Sequence, residues 1–306
     1  MLTKLYPMVQ FKKNTWEIDE FDCASLFLLE GTEKAMLIDC GMGIGDLRGA
    51  VEMITDKPLI VVITHGHIDH TGNACQFDEI WIHPEDQWAP IPQDIERRRW
   101  DVQRIAHRQK TCIGGYYTQF NLYPFDIYED IRPAEAYPNK PVLRDLYDGQ
   151  EFDLGGGRIV TAYECPGHSP GEMVFLDRQT RTLFCGDALN FNLGINAKLA
   201  PTALEHLKKI QAMSDQYDDI YNGHHDFRAL GMPLDDDCLP NAIALIEDVI
   251  SGKAYPCQMP SFWGQDVPLT RQEELSHPNA KGQLMDRLTY HRGRNIINVG
   301  TPKKQN

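Results

Sequence analysis

The stretch Thr64-His65-Gly66-His67-Ile68-Asp69-His70 constrains this chain more than any other part of it. Three histidines and an aspartate at fixed offsets follow directly on an apolar run at residues 59–64, which reads as a buried strand. His65 and His67 leave that strand end two residues apart, so their side chains project the same way and can share one metal ion. Asp69 and His70 come next, as the chain turns toward a helix at Thr71, and can reach a second ion beside the first. Neutral imidazole and carboxylate suit Zn²⁺ and also tolerate Fe or Mn. Chance would produce such a pattern about once in a thousand chains of this length.

Three downstream positions repeat one grammar, in which an apolar run meets a tight glycine turn and then a ligand-type residue. They are Pro166-Gly167-His168-Ser169, Phe184-Cys185-Gly186-Asp187 and Tyr221-Asn222-Gly223-His224-His225. A lone loop His or Asp is usually a surface residue. In this order, after the first motif, the three read as further ligands. The other histidines (83, 107, 206, 277 and 291) we take as structural.

Around these motifs the pattern is β-rich. Residues 24–30 and 34–38 are apolar runs flanking Gly31-Thr32, the signature of a hairpin. Gly41-Met42-Gly43-Ile44-Gly45 lacks the spacing of a phosphate cradle and reads as a turn before a helix capped by Asp46. Strands are expected at 59–64, 79–83, 158–165, 173–177, 182–185, 219–222 and 295–299, and helices at 201–216 and 239–250. Residues 84–140 read as an insertion: helical and charged to 110, then rich in aromatics, with Tyr116, Tyr117, Phe120 and Tyr123 either packing the insertion's own core or a subunit interface, or walling a pocket. Within it Arg97-Arg98-Arg99 stands among acids and reads as a solvated helix face. One domain over 1–306 is expected, with this insertion and a C-terminal elaboration at 253–306.

Composition narrows the setting. A chain of 306 residues with 42% hydrophobic and 24% charged residues is an ordinary globular protein that needs no disulfide staple. Its eight cysteines are scattered with no pair separated by two residues, which argues against a Cys-type zinc site or a redox pair. No signal-peptide pattern opens the chain and no 18-residue apolar stretch occurs, so a cytoplasmic protein with no membrane contact is expected. The net charge of −14 argues against nucleic acid as a partner. The expected partner is a small-molecule substrate, and a homodimer stays open.

Taken together, the five motifs resemble those of the metallo-β-lactamase superfamily, whose members include glyoxalase II, acyl-homoserine lactonases and tRNA-processing ribonuclease Z. The resemblance spans residues 24–224, about two thirds of the chain. It implies an α+β fold, an αββα sandwich of two mixed β-sheets with helices outside and the metals at one sheet edge. It also implies that His65, His67 and His168 hold one metal, that Asp69, His70 and His224 hold the other, and that Asp187 bridges them. His225 is a neighbouring alternative to His224. Asp39, at a strand end, matches the family's supporting aspartate. The implied activity is that of a dinuclear hydrolase. Two divalent ions, zinc by expectation, turn a bridging water into hydroxide at neutral pH and polarise the carbonyl of a small ester, lactone or thioester. Asp69 could also pass a proton to the leaving group. Phosphodiesterase or nuclease chemistry on the same fold is the alternative, as is an iron-dependent oxidoreductase such as a persulfide dioxygenase. The chain departs from the family where Glu172 replaces a small residue or His, near the metals, either paired or turned against anionic substrates. The acyl group is expected to be set by the insertion and by residues 255–286.

Overall fold

Short strands buried on both faces set the architecture. The computed structural model describes residues 2–87, 95–111, 125–138, 140–224, 228–254, 285–292 and 295–302. Four antiparallel strands open the chain: β1 (Met8–Lys12), β2 (Thr15–Asp19), β3 (Ser25–Glu30) and β4 (Ala35–Ile38). Helix α1 (Leu47–Glu52) follows, capped as expected by Asp46, whose Oδ1 accepts from the Gly49 N–H at 2.8 Å. Strand β5 (Leu59–Val62), helix α2 (Ile68–Thr71), strand β6 (Glu79–Ile82), helix α3 (Ile95–Thr111) and strand β7 (Val142–Asp145) complete the first half. Strands β4 to β7 run parallel, so β1 to β7 form one seven-stranded mixed sheet in chain order.

The second sheet comprises β8 (Glu151–Asp153), β9 (Ile159–Glu164), β10 (Met173–Asp177) and β11 (Thr182–Phe184). After β12 (Asn192–Asn196) and helix α4 (Ala200–Ala212), β13 (Asp219–Tyr221) joins it parallel to β11, giving the order β13-β11-β10-β9-β8. Helix α5 (Cys238–Ile250), β14 (Met285–Arg292) and β15 (Asn295–Pro302) follow, and β12, β15 and β14 make a small third sheet.

Alternation along the strands assigns each side chain to a layer. Phe27, Met36, Ile38 and Val62 of the first sheet meet Val160, Ala162, Phe175 and Phe184 of the second in a shared inner layer. The intervening residues Leu26, Leu28, Leu37 and Val61 pack outward against α1 and Val102 of α3. Val174, Leu176 and Leu183 pack outward against α4 and α5. The result is the αββα sandwich, with apolar runs in the central strands β3, β4, β10 and β11, which have two dry faces.

At one end of the two sheets the loops after β4, β5, β9, β11 and β13 emerge together. There the sheets are joined by backbone hydrogen bonds, Met173 N–H to Thr64 O at 2.8 Å and Ser25 N–H to Gly223 O at 2.7 Å. The far end is held by a buried ion pair. Arg158 donates to Asp177 Oδ2 at 2.6 and 3.1 Å, to the carbonyls of Asn14 and Glu30, and to Thr15 Oγ1. One guanidinium thus ties both sheets together opposite the loops.

The arginine run corrects the solvated-face reading. Arg97 is partly exposed, but Arg98 is 1% exposed and donates to the carbonyls of Met42, Gly72 and Arg132. It plugs α3 of the insertion onto the glycine-rich loop, where desolvation is offset by three carbonyls and by nearby Glu20. That loop does cradle an acidic group, but an internal one, the Glu20 carboxyl that burial raises to about 8. The N–H groups of Met42, Gly43 and Ile44 all donate to the Glu20 carboxyl. Helix α2 begins at Ile68 rather than at Thr71, so Asp69 and His70 sit inside it. Strands β1, β2, β7, β8, β12 and β14 go beyond the elements expected individually. Tyr116, Tyr117, Phe120, Tyr123, His225 and His277 lie outside the described residues, as do the His107 and His291 side chains. Six cysteines, at 23, 40, 75, 165, 185 and 238, are buried. Among the described residues no helix is long and apolar enough to cross a membrane.

Replacing Arg158 with Met keeps most of the stem volume but strands the Asp177 carboxylate in the core. Such a buried, uncompensated charge costs about 3–5 kcal/mol. Urea unfolding of Arg158→Met should show that loss with an unchanged denaturant slope. A change below about 1 kcal/mol, the range of a surface pair, would mean that the clamp is unimportant.

Candidate metal centre

Every ligand-type residue singled out in the five motifs, His225 aside, arrives at the loop-bearing end. His65 Nε2 and His168 Nε2 stand 2.9 and 2.8 Å from His67 Nδ1. Three nitrogens around one zinc at about 2.0–2.1 Å would be spaced only a little wider. A second group forms from Asp69, His70 and His224, and both groups fall within the 4.8 Å mutual spacing that a shared ion requires. Asp69 Oδ2 is 3.5 Å from His224 Nε2 and 3.9 Å from His70 Nε2. Asp187 lies between the groups. Its Oδ2 is 3.5 Å from His168 Nε2 and 3.4 Å from His224 Nε2, while its Oδ1 is 3.9 Å from His70 Nε2.

Local structure explains how each side chain gets there. His65 and His67 follow β5, and α2 starts at once, so a single turn of helix presents Asp69 and His70 to the same space. Two glycine turns permit close approach. A Cβ on Gly223 would stand 2.7 Å from His70 Cε1, and one on Gly186 would stand 2.6 Å from Thr64 Cβ, so only glycine lets Asp187 and His224 come so near.

Behind the ligands stands a layer of polar partners that fixes their tautomers. Asp39 adopts a left-handed backbone, φ +68°, unusual for a non-glycine residue and typical of a functional position. Its carboxylate accepts from the Thr64 N–H at 2.7 Å, from the Thr64 hydroxyl at 2.9 Å and from His70 Nδ1–H at 2.8 Å. With its Nδ1 proton so committed, His70 turns Nε2 inward. His168 donates Nδ1–H to the Gly194 carbonyl of β12 at 2.8 Å, which frees its Nε2. Glu172 is fully buried: its Oε1 accepts from the Asp187 N–H at 2.9 Å and lies 3.5 Å from His65 Nδ1. It is therefore paired, not turned toward substrate. His83 and His206 lie to one side, His83 Nε2 3.3 Å from Glu164 Oε1 and His206 Nδ1 donating to the Glu164 carbonyl, as structural residues should.

Charge reinforces the geometry. Burial lowers His65 well below the ordinary histidine value and, with His168 beside it, brings His67 to about 4, so both are neutral bases at pH 7. His70 goes the other way. Burial alone would lower it, but Asp39, Asp69 and Asp187 outweigh that and raise it to about 9. Asp187 is held well below the carboxylate range, because His224, His168 and His70 overcome the effect of burial. Burial and the Asp187 charge push Glu172 well above that range.

Do these residues fit metal ions? His70 Nε2 and Asp187 Oδ1 are buried polar atoms with no hydrogen-bond partner. Orphans of this kind are costly unless something binds them. The two atoms stand 3.9 Å apart, and a divalent cation that displaces the His70 proton is a partner that the imidazole nitrogen and the buried carboxylate can share. The donor set therefore fits. Sequence spacing did not reveal Gly194, whose role depends on approach in space. Asp39, at a strand end, and Glu172, inside a ligand loop, are the supporting positions that the sequence singles out.

Comparison with known proteins gives the same picture. The family described as Metallo-beta-lactamase superfamily matches residues 21–226. An acyl-coenzyme A thioesterase, MBLAC2, from Homo sapiens is 28% identical over 179 residues, covering 54% of this chain and 58% of that protein. A hydroxyacylglutathione hydrolase from Rhizobium johnstonii is 27% identical over 162 residues, covering 52% and 59%. The chain thus spans under three-fifths of the length of these relatives. A metallo-beta-lactamase from Pontibacter korlensis superposes with a TM-score of 0.52 at 16% identity, over 79% of this chain and 99% of that one, a likeness in fold.

In the metal-free protein His70 carries a proton below about pH 9, and a metal must displace it. Zinc affinity at the position formed by Asp69, His70 and His224 should rise about tenfold per pH unit until that value and then level off. The neutral His65 and His67 predict a flatter profile at the other position. Competition titrations against a chelator across this range read both slopes. Equal slopes would contradict the assignment of the proton to His70.

Proposed function

Since the chain belongs to the metallo-β-lactamase superfamily, we propose that it is a hydrolase carrying two divalent metal ions and cleaving a thioester or a related ester or lactone. The observation that carries this reading is the Asp187 carboxylate, placed between two groups of imidazoles contributed by three separate loops. His65, His67 and His168 would hold one ion, Asp69, His70 and His224 the other, with Asp187 shared. The mix of five imidazoles and two carboxylates favours zinc, and iron or manganese are the alternatives. Bound ions would supply a hydroxide at neutral pH and polarise the substrate carbonyl.

The chain's own residues do the rest. Asp187, kept ionised by its histidines, ties the two positions to a fixed separation. Asp69 keeps part of its side chain open, 26% exposed, on the rim of the cluster. It can therefore hold a proton at its free oxygen and hand it to a departing thiolate or alkoxide. Thioesters lead the list because the two curated relatives are named for acyl-coenzyme A and for hydroxyacylglutathione. A net charge of −14 speaks against nucleic-acid cleavage, since a phosphate-backbone binder shows a basic face.

Elemental analysis of the purified protein should find two metal ions per chain, and acyl-coenzyme A and acylglutathione should be hydrolysed faster than phosphodiesters. His67→Ala should empty one position and Asp187→Ala should weaken both. Asp69→Asn, assayed at saturating metal, should lower kcat by about 10²–10⁴-fold, the range of proton-transfer catalysis. Full metal loading with no hydrolysis of any ester, lactone or thioester, and oxygen uptake on a persulfide instead, would overturn the reading in favour of iron chemistry.

A further inference from the structure

Two carboxyl groups behind the histidines are used by none of the roles assigned so far. Asp86, at the start of the insertion, and Glu172, in the loop between β9 and β10, are both fully buried. Ser169 links them: its hydroxyl donates to Asp86 Oδ2 at 2.5 Å and lies 3.4 Å from Glu172 Oε2. Asp86 also accepts from the Gly66 N–H at 2.9 Å and from the Gly171 N–H at 3.1 Å. Glu172 accepts from the Asp187 N–H at 2.9 Å and stands 3.5 Å from His65 Nδ1. This single chain of contacts therefore touches three loops: the one carrying His65 and His67, the one carrying His168, and the one carrying Asp187. Polar groups buried to this degree persist only when their bonding is nearly complete, and a complete network is rigid.

We propose that Glu172, acting through Ser169 with Asp86, is the positioning residue that holds His65, His168 and Asp187 as one set. Asp39 holds His70 directly and reaches His65 only through the Thr64 hydroxyl, which donates to Asp39 at 2.9 Å and lies 3.1 Å from His65 Nδ1, whereas Glu172 and Asp86 add the loops of His168 and Asp187. Glu172 works through its acceptor oxygens. One oxygen fixes the peptide N–H that aims the Asp187 side chain, and the same oxygen stands 3.5 Å from His65 Nδ1, behind the nearer Thr64 hydroxyl at 3.1 Å. The insertion contributes Asp86 to this bracket, so attachment of the insertion and rigidity of the metal loops are one structural event. The inference rests on the two-metal reading above.

Zinc affinity of the wild-type protein and of three variants, measured by chelator competition, tests it without any substrate. Glu172→Gln keeps an acceptor toward Asp187 and His65 and can donate to Ser169 Oγ, so its affinities should match the parent's. Glu172→Leu keeps volume but removes both acceptors. It should lose about 10–100-fold at the His65, His67 and His168 position, the usual effect of removing a ligand's support, with a smaller loss, carried by the shared Asp187, at the Asp69, His70 and His224 position. Cobalt(II) spectra of the same variants should show the larger change of ligand field at the first position. A Leu variant with parental affinity at both positions would overturn the proposal. So would equal weakening at both positions that merely tracks a drop in Tm, because that describes a packing residue. If the Leu variant does not fold, Ser169→Ala removes one hydroxyl and decides the matter: selective loss at the first position supports the bracket, and no loss refutes it. Two ions bound by the wild-type protein without hydrolysis would sink the proposed activity alone and leave this test standing.

Discussion

Five imidazoles and two carboxylates held within about hydrogen-bonding distance of one another, and largely out of water, form the arrangement on which the rest of the structure depends. Without ions such a cluster is costly: ring nitrogens face one another, and two buried polar atoms find no partner. The fold must supply the free energy to hold it open for a cation. It does so with two dry sheet faces, so that each ligand loop is anchored to a strand that cannot slip. A one-residue slip would turn an inner-layer side chain such as Phe175 or Phe184 outward.

The cluster straddles the seam between the sheets, and that explains the two kinds of fastening found there. Near the site the fastenings are backbone hydrogen bonds, which leave side chains free to serve as ligands. At the far end, where no ligand is needed, a guanidinium gathers two carbonyls, a hydroxyl and a carboxylate. Registers between β10 and its neighbours then carry the far-end clamp to the near end, because Asp177 and Met173 are the two ends of one strand. Rigidity of this kind matters for a metal site, where small displacements of a donor change affinity.

What could be read from the sequence was what is local. His65 to His70 are informative because strand exit and helix entry fix their relative directions within one short segment, and the downstream glycine turns mark strand ends in the same way. Asp46 as a helix cap and the turn at Gly31 follow from equally short-range rules. Arg98 failed for the opposite reason. Its neighbours in the chain are charged and say "surface", yet the groups that receive it come from Met42, Gly72 and Arg132, which no periodicity connects. Glu172 was ambiguous for the same reason: an acid beside a metal loop either faces the substrate or is locked behind it, and only the Asp187 N–H decides.

The C-terminal strands extend this argument beyond the family match, which ends at residue 226. His168 is oriented by the carbonyl of Gly194, in the middle of β12. That strand belongs to neither large sheet. It is paired in parallel with β15, Gly194 lying opposite Asn298. Strand β15 is itself fastened to α5, where Asn295 donates to the Cys238 carbonyl at 2.8 Å and Ile297 enters the outer core. A short strand with no sheet of its own would be a poor support for a ligand, since a lone strand lacks the hydrogen bonds that hold its backbone straight. The late hairpin supplies them. Strand β15, outside the family match at residues 21–226, thereby steadies a residue inside it.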